Sequence, residues 1–132
     1  MEVDKEMRIL VVDDSKAMRN LVKTVLRKAG FHNLAEAEDG EEAWSLLTKQ
    51  EFDLLMSDWN MPHMDGISLL RKVRESEELK VLPFLMVTAE GFKENVIEAV
   101  EAGVNGYIVK PFSPQAIEAK IEKIFVKLSV AA

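Results

Sequence analysis

Short apolar runs alternate with longer amphipathic stretches along the chain, and this alternation limits the folds that it can adopt. Buried strands are predicted at residues 9–12, 54–56, 84–87 and 107–109, and a further strand, second in chain order, at residues 34–37. Runs that are apolar at successive positions are typical of parallel strands covered on both faces. The second run is weaker and contains Glu36, which favours the edge of a sheet. The pattern predicts a parallel α/β sheet with helices on both faces.

Five helices are predicted, one after each strand. The first has an apolar face at three-and-four spacing and ends before Gly30. That face consists of Met18, Leu21, Val22, Val25, Leu26 and Ala29. The last helix follows Ser113 and Pro114, a capping residue and a proline suited to the first turn. Its apolar face consists of Ile117, Ile121, Ile124, Phe125 and Leu128. The remaining helices are predicted at residues 41–49, 67–75 and 93–102.

Composition excludes several classes of function. The 132 residues fit one domain, and we expect residues 1–132 to form it with no output domain attached. A net charge of −6 opposes binding to nucleic acid or to anionic lipid. The chain has no cysteine, its first residues are too charged for a secretory signal, and its apolar runs are too short to span a bilayer. We therefore expect a cytoplasmic protein, and a monomer, that binds neither nucleic acid nor membrane.

Polar residues follow four of the predicted strands. Asp13 and Asp14 follow the first strand, Asp58 the third, Thr88 the fourth and Lys110 the fifth. In a doubly wound sheet, ligands bind beyond the carboxyl ends of the strands, so these side chains should meet at one edge. Each residue alone has an ordinary explanation as a helix cap, a turn residue or a solvated charge. Their coincidence at equivalent positions indicates a functional site.

The expected site suits a hard metal ion and a phosphoryl group. Three converging carboxylates stay ionised only if a cation or proton compensates them. Oxygen donors without cysteine favour Mg²⁺ over Zn²⁺. The set then matches phosphoryl transfer to an aspartate. His32 and His63 stand alone in loops and are expected to be surface histidines, and Trp44 is expected to pack in the core.

Four motifs carry a resemblance to a known family: VVDDS at 11–15, SDWNMPHMDG at 57–66, VTAE at 87–90 and GYIVKPF at 106–112. Through them the chain resembles the bacterial response-regulator receiver family over about residues 8–128, and most closely its chemotaxis branch. The resemblance implies a flavodoxin-like (βα)5 doubly wound parallel sheet with strand order 2-1-3-4-5.

The resemblance also implies roles for the site residues. Asp58 would be the phosphoacceptor, and Asp14 and Asp58 would bind Mg²⁺ directly, together with the backbone carbonyl of Asn60. Asp13 would hold a metal-bound water.

Thr88 and Lys110 would contact the oxygens of the phosphoryl group once it is on Asp58. The peptide bond between Lys110 and Pro111 would be cis. Thr88 and Tyr107 would act as the switch. The module would catalyse its own phosphorylation and dephosphorylation without being an enzyme for another substrate.

Within the chemotaxis branch, Trp59, Asn60 and Glu90 accompany fast loss of the phosphoryl group, which makes Asn60 and Glu90 candidate dephosphorylation-rate positions. The expected partners are a histidine kinase as phosphodonor, a flagellar motor switch protein as target and, as a further possibility, a phosphatase. The target would bind the face formed by the fourth helix, the fifth strand and the last helix. Candidate contacts are Lys93, Val96, Val100, Tyr107, Val109, Lys120 and Lys123.

Three rival functions remain open at this point. An aspartate-nucleophile phosphatase would show an Asp-x-Asp pair, whereas Asp13 and Asp14 are adjacent. A flavodoxin-like cofactor binder needs a first loop that cradles phosphate, and two carboxylates there would repel it. A receiver that works outside chemotaxis, alone or in a phosphorelay, differs only in its partners.

Overall fold

The structure is a computed structural model that describes residues 3–131, with side chains for residues 3–130. The strands are β1 (Arg8–Val12), β2 (Asn33–Ala37), β3 (Leu54–Ser57), β4 (Phe84–Thr88) and β5 (Gly106–Val109). The helices are α1 (Lys16–Lys28), α2 (Gly40–Leu47), α3 (Gly66–Glu75), α4 (Lys93–Ala102) and α5 (Pro114–Ala131). Among residues 3–131, no helix combines the length and apolar character that a bilayer crossing needs.

The five strands form one parallel sheet in the order β2-β1-β3-β4-β5, which confirms the predicted fold class. β2, the strand with Glu36, lies at an edge as expected. From β1 the chain moves to one side of the sheet to form β2 and then to the other side to form β3, so that β1 has β2 and β3 as its neighbours. The loops that follow β1 and β3 therefore leave a crevice between them at the carboxyl ends of the strands.

Side chains that alternate along each strand divide the interior into two cores. Ile9 and Val11 of β1 lie in the core covered by α1 and α5, while Leu10 and Val12 lie in the core covered by α2, α3 and α4. All four side chains are at most 2% exposed. β1 is hydrogen-bonded to a neighbouring strand on each side and covered on both faces, which fixes the position of the loop that follows it.

Capping residues in the loops that follow β1, β2 and β3 set the starts of three helices. Ser15, Asp39 and Asp65 cap α1, α2 and α3, and each side chain accepts the backbone N–H of the third residue of its helix. α2 ends at Leu47, two residues before the predicted end, because the backbone turns there and the N–H groups of residues 49 and 50 both donate to the carbonyl of residue 46. The Lys110–Pro111 peptide bond is cis, as the resemblance implied.

The buried face of α1 differs from the prediction at one position. Leu21 is 49% exposed, whereas Arg19 is only 9% exposed. Arg19, Val22 and Leu26 follow the three-and-four spacing of the buried stripe, which rotates Leu21 towards solvent. A charged side chain therefore occupies a core-facing position of α1.

Candidate functional site

The carboxyl ends of the strands bring the predicted polar residues to one edge of the sheet. Asp13 and Asp14 follow β1, Asp58 follows the adjacent β3, and Thr88 ends β4. Carboxylate oxygens of the three aspartates lie within 4.8 Å of one another. Lys110, which follows β5, extends its ammonium group to 2.9 Å from Asp13 Oδ2 and 3.3 Å from Asp58 Oδ2. The structure thus assembles the acidic cluster and its lysine as the sequence predicted.

Backbone amides hold two of the three carboxylates in place. Asp58 Oδ1 accepts the N–H of Trp59 at 2.7 Å, and Asp13 Oδ1 accepts the N–H of Ser15 at 2.9 Å. Asp13 and Asp58 have side chains only 6% and 12% exposed, whereas Asp14 is exposed. The cleft therefore combines two fixed carboxylates with a third that is open to solvent.

Lys110 is the positive charge of the cluster. Burial lowers the pKa of its ammonium group, but the hydrogen bond to Asp13 and the charges of Asp58 and Asp13 outweigh burial and raise the pKa above its usual value. The group therefore stays charged at neutral pH. Three carboxylates with one ammonium leave two negative charges uncompensated at the site.

The donor set fits a magnesium ion. Two oxygens bound to one Mg²⁺ lie at most about 4.2 Å apart, twice the typical bond length. The carboxylate oxygens lie within 4.8 Å of one another, so a contraction of a few tenths of an ångström, or a bridging water, brings them into range. A divalent ion would also balance the two uncompensated charges. Asn60 lies in the same loop as Asp58, and its backbone carbonyl is an oxygen donor of the kind that such an ion accepts.

Thr88 and Tyr107 lie beside the cleft on neighbouring strands. Thr88 is fully buried, and its hydroxyl accepts the N–H of Glu90 at 3.3 Å. The hydroxyl of Tyr107 donates to the backbone carbonyl of Glu90, and burial raises the pKa of this phenol. The amide of Asn60 donates to the carboxylate of Glu90. Glu90 therefore links the loop after β3, the loop after β4 and the ring on β5.

The candidate target-contact residues lie on α4, β5 and α5, and each is at least partly exposed. Val100 is 62% and Val109 42% exposed, so both side chains lie open on this surface. Phe92 and Ile97 were not predicted as contacts, yet they are 72% and 45% exposed just before and on the same helix. The available signal was an aromatic residue at the N-cap position of α4, where a polar side chain is usual.

One glycine touches the acceptor loop closely. A Cβ added to Gly66 would lie 2.1 Å from the carbonyl oxygen of Asp58. The N–H of Gly66 donates to the carbonyl of Trp59 at 2.8 Å. The first residue of α3 is thus packed directly against the backbone that carries Asp58.

Two side chains near the site make polar contacts that were not anticipated. Arg19 donates to the carbonyl oxygen of Asp13 at 2.6 Å and to Glu36 at 2.7 Å. His63, the expected lone surface histidine, has its Nδ1 at 2.7 Å from Asp39 Oδ2 and has a positive φ of 67°. The contacts with Glu36 and Asp39 join residues 17 and 24 positions apart, so only the folded topology reveals them.

Comparison with known proteins places this geometry among signalling domains. Residues 9–122 match the family described as response regulator receiver domain. The chain is 53% identical over 126 residues to chemotaxis protein CheY-3 of Vibrio cholerae, covering 96% of this chain and 97% of that protein. It is 55% identical over 123 residues to chemotaxis protein CheY of Pseudomonas aeruginosa, covering 93% and 99%.

Solved structures agree with the fold. The chemotaxis response regulator CheY4 of Vibrio cholerae has a TM-score of 0.83 at 35% identity, covering 90% of this chain and 98% of that one. The receiver domain of a sensor histidine kinase from Pseudomonas aeruginosa, solved with a magnesium ion coordinated in its active site cleft, has a TM-score of 0.81 at 25% identity, covering 89% and 96%.

Proposed function

The chain belongs to the response-regulator receiver family, and we propose that it is a signalling switch that accepts a phosphoryl group on Asp58 in a Mg²⁺-dependent reaction. One observation carries the proposal. Asp58 lies in a cleft with two further carboxylates and with the ammonium of Lys110 at 3.3 Å. An acidic nucleophile beside a fixed positive charge and a metal-compatible donor set is the arrangement that phosphoryl transfer needs.

The proposed step forms one bond and breaks one. A carboxylate oxygen of Asp58 bonds to phosphorus, and the bond from phosphorus to the histidine nitrogen of the kinase breaks. The imidazole leaves with the electron pair of that bond, and its nitrogen takes up a proton to give a neutral histidine. Lys110 lies beside the carboxylate that attacks, where its ammonium stabilises negative charge on the phosphoryl oxygens. Thr88, at the end of the neighbouring β4, offers a hydroxyl donor to the same oxygens once it releases the amide of Glu90.

Asp14, Asp58 and the carbonyl of Asn60 would hold Mg²⁺ directly, and Asp13 would hold it through water. A bound Mg²⁺ would neutralise negative charge on the phosphoryl oxygens. The related receiver domain with magnesium coordinated in its cleft supports this assignment.

Fluorescence tests the metal site. Trp59 is 7% exposed, and its backbone N–H donates to Asp58 Oδ1. In a Trp44→Phe background, Mg²⁺ should change the emission of Trp59, and Asp14→Ala should weaken binding more than Asp13→Ala does. Unchanged emission, together with calorimetry that detects no Mg²⁺ binding, would contradict the metal site.

We further propose that phosphorylation reshapes the surface of α4, β5 and α5. Movement of Thr88 towards the phosphoryl group would leave space beside β4. Tyr107, one strand away and half-buried, would turn further into that space. The exposed apolar residues of this face, with Lys93, Lys120 and Lys123 around them, suit an acidic amphipathic peptide.

The proposed pathway is chemotaxis, with a histidine kinase as donor, a flagellar motor switch protein as target and a phosphatase as a further partner. The two chemotaxis relatives at 53% and 55% identity support it. Asn60 and Glu90, which contact each other across the cleft, are the proposed positions that set the rate of phosphoryl loss. The chain would act as a cytoplasmic monomer formed by this single domain.

Target-peptide affinity tests the switch. A motor-switch peptide should bind more tightly when beryllofluoride, a stable phosphoryl mimic, is present, and binding should favour the modified state in return. Thr88→Ala should abolish this difference while basal binding remains, and Lys93→Glu should abolish binding. Equal affinities in the two states of the wild type would contradict the switch, and a switch specific to another peptide would favour a receiver outside chemotaxis.

A further inference from the structure

Arg19 is a charged side chain in a core-facing position, and the proposed function gives it no role. We propose that Arg19 is a positioning residue, which fixes the backbone at Asp13 so that the acidic loop at residues 13–15 presents its carboxylates to the metal ion. The inference rests on the proposed Mg²⁺ site. The position of the acidic loop can also be measured in the metal-free protein.

The contacts of Arg19 lead directly to the acidic loop. Its side chain is 11% exposed. One terminal nitrogen donates to the backbone carbonyl of Asp13 at 2.6 Å. That carbonyl belongs to the first residue beyond β1, which follows Val12, the last position in register with the neighbouring strands. Arg19 thus provides a buried donor at the point where the chain leaves the sheet.

The other end of the guanidinium is anchored to the sheet edge. Its Nε donates to Glu36 on β2 at 2.7 Å. Lys23 donates to the second oxygen of Glu36, and hydrogen bonds from Lys23 and Arg19 lower the pKa of that carboxyl. Glu36 therefore stays ionised and holds the guanidinium in one orientation. Two fixed partners, one on each side, leave Arg19 little rotational freedom.

The fixed backbone at Asp13 also fixes the carboxylates of the acidic loop. Asp13 donates its own N–H to the carbonyl of Ala37 on β2 at 3.1 Å, so both backbone groups of this residue are held. Its Oδ1 accepts the N–H of Ser15, and its Oδ2 accepts Lys110. A shift of this backbone would move the Asp13 carboxylate, and Asp14 with it, relative to Asp58.

The positive charge of Arg19 and its positioning role have opposite effects on the affinity for Mg²⁺. Arg19 is a cation close to a proposed cation site, so its charge alone opposes Mg²⁺ binding. Its removal should tighten Mg²⁺ binding if only charge matters. Weaker binding after its removal can come only from the loss of geometry.

The experiment compares Arg19→Met with Lys23→Met, each in the Trp44→Phe background. Both variants remove one positive charge from the same network, but only the first removes the donor to Asp13. We expect Arg19→Met to raise the Kd for Mg²⁺ roughly tenfold, the lower end of the range for groups that orient metal ligands. Lys23→Met should leave the Kd unchanged or lower it.

Amide hydrogen exchange gives the readout that needs no metal. In the metal-free protein, the N–H of Ser15 should exchange about tenfold faster in Arg19→Met, as expected when one typical hydrogen bond is lost, and at the wild-type rate in Lys23→Met. Arg19→Lys keeps the charge but cannot reach both partners, so it should fall between the two. It also serves as the test if Arg19→Met does not fold.

The outcomes are distinguishable. A wild type that binds no Mg²⁺ contradicts the proposed function, while the exchange rate of Ser15 still decides the role of Arg19. Wild-type exchange at Ser15 in folded Arg19→Met, or in Arg19→Lys if Arg19→Met is unfolded, overturns the inference. So does Mg²⁺ binding that is as tight as in the wild type or tighter.

Discussion

Replacing Gly66 with alanine should disturb the backbone that carries Asp58. The added Cβ would lie 2.1 Å from the Asp58 carbonyl oxygen, against the 3.4 Å at which ordinary contact begins, so the two groups must separate by 1.3 Å. The obstructing atom belongs to backbone rather than to a side chain that could rotate. The acceptor loop or the start of α3 must therefore move.

The cost should lie at the upper end of the range for overpacking, about 3 kcal/mol. For a domain of this size, we expect the unfolding temperature to fall by about 10 °C. The hydrogen bond from Gly66 to the carbonyl of Trp59, 2.8 Å long, is strained by the same shift. The Mg²⁺ affinity of Gly66→Ala should fall with its stability, since Asp58 moves.

Thermal unfolding followed by circular dichroism measures the effect, and Gly91→Ala is the matched control. A Cβ on Gly91 meets only the side chain of Val109, with Cγ1 nearest at 3.1 Å, and Val109 is exposed and free to adjust. Its unfolding temperature should change by less than about 2 °C, as for an ordinary surface substitution. An equally small change in Gly66→Ala would refute the argument that Gly66 is needed for close packing.

Other contacts give three further predictions. Arg74→Met should destabilise the protein by about 3 kcal/mol in urea unfolding, because the half-buried guanidinium donates to three backbone carbonyls and to Asn105; a loss below about 1 kcal/mol would contradict it. His63→Asn should lower stability at pH 5 but not at pH 9, because the hydrogen bond to Asp39 raises the pKa of His63 above 6.5, so the contribution is complete below pH 6.5 and is lost as pH rises through the folded pKa. An equal loss of stability in His63→Asn at pH 5 and at pH 9 would exclude the hydrogen bond between His63 and Asp39 as the cause of the loss. Glu90→Ala should slow the loss of the phosphoryl group, measured by the decay of labelled protein, and an unchanged lifetime would remove Glu90 from the rate-setting positions.

Much of the fold could be predicted because its elements have strong local signals. The buried strands are short apolar runs, and the helix from Lys93 to Ala102 matches its predicted bounds. The errors in the bounds of the elements lie at their ends. The predicted α2 extended to residue 49, whereas a turn closes it at Leu47, and periodicity alone does not register such turns.

The candidate site could be located because a parallel sheet brings together the residues that come directly after its strands. Asp13, Asp14, Asp58 and Lys110 lie together for that reason. The strand order itself came from family resemblance, since alternation of strands and helices fits several doubly wound orders.

The supporting contacts could not be predicted, because they depend on three-dimensional neighbours. His63 and Asp39 are 24 positions apart, and nothing local links them. Arg19 did leave a signal, since it lies three residues before Val22 on the buried stripe. An arginine at one position of an amphipathic helix is, however, more often solvated than buried, and its acceptor is a backbone carbonyl, which no sequence pattern displays.

Covalent labelling tests the central claim most directly. Incubation with a small acyl phosphate and Mg²⁺, followed by intact-protein mass spectrometry, should add one phosphoryl group to the wild type and none in the presence of EDTA. Asp53→Asn, which alters the carboxylate that precedes β3 at the opposite end of the strand, should label as the wild type does, and Asp58→Asn should not label. Full labelling of Asp58→Asn, or labelling that EDTA leaves unchanged, would contradict the account of Asp58 as the Mg²⁺-dependent phosphoacceptor.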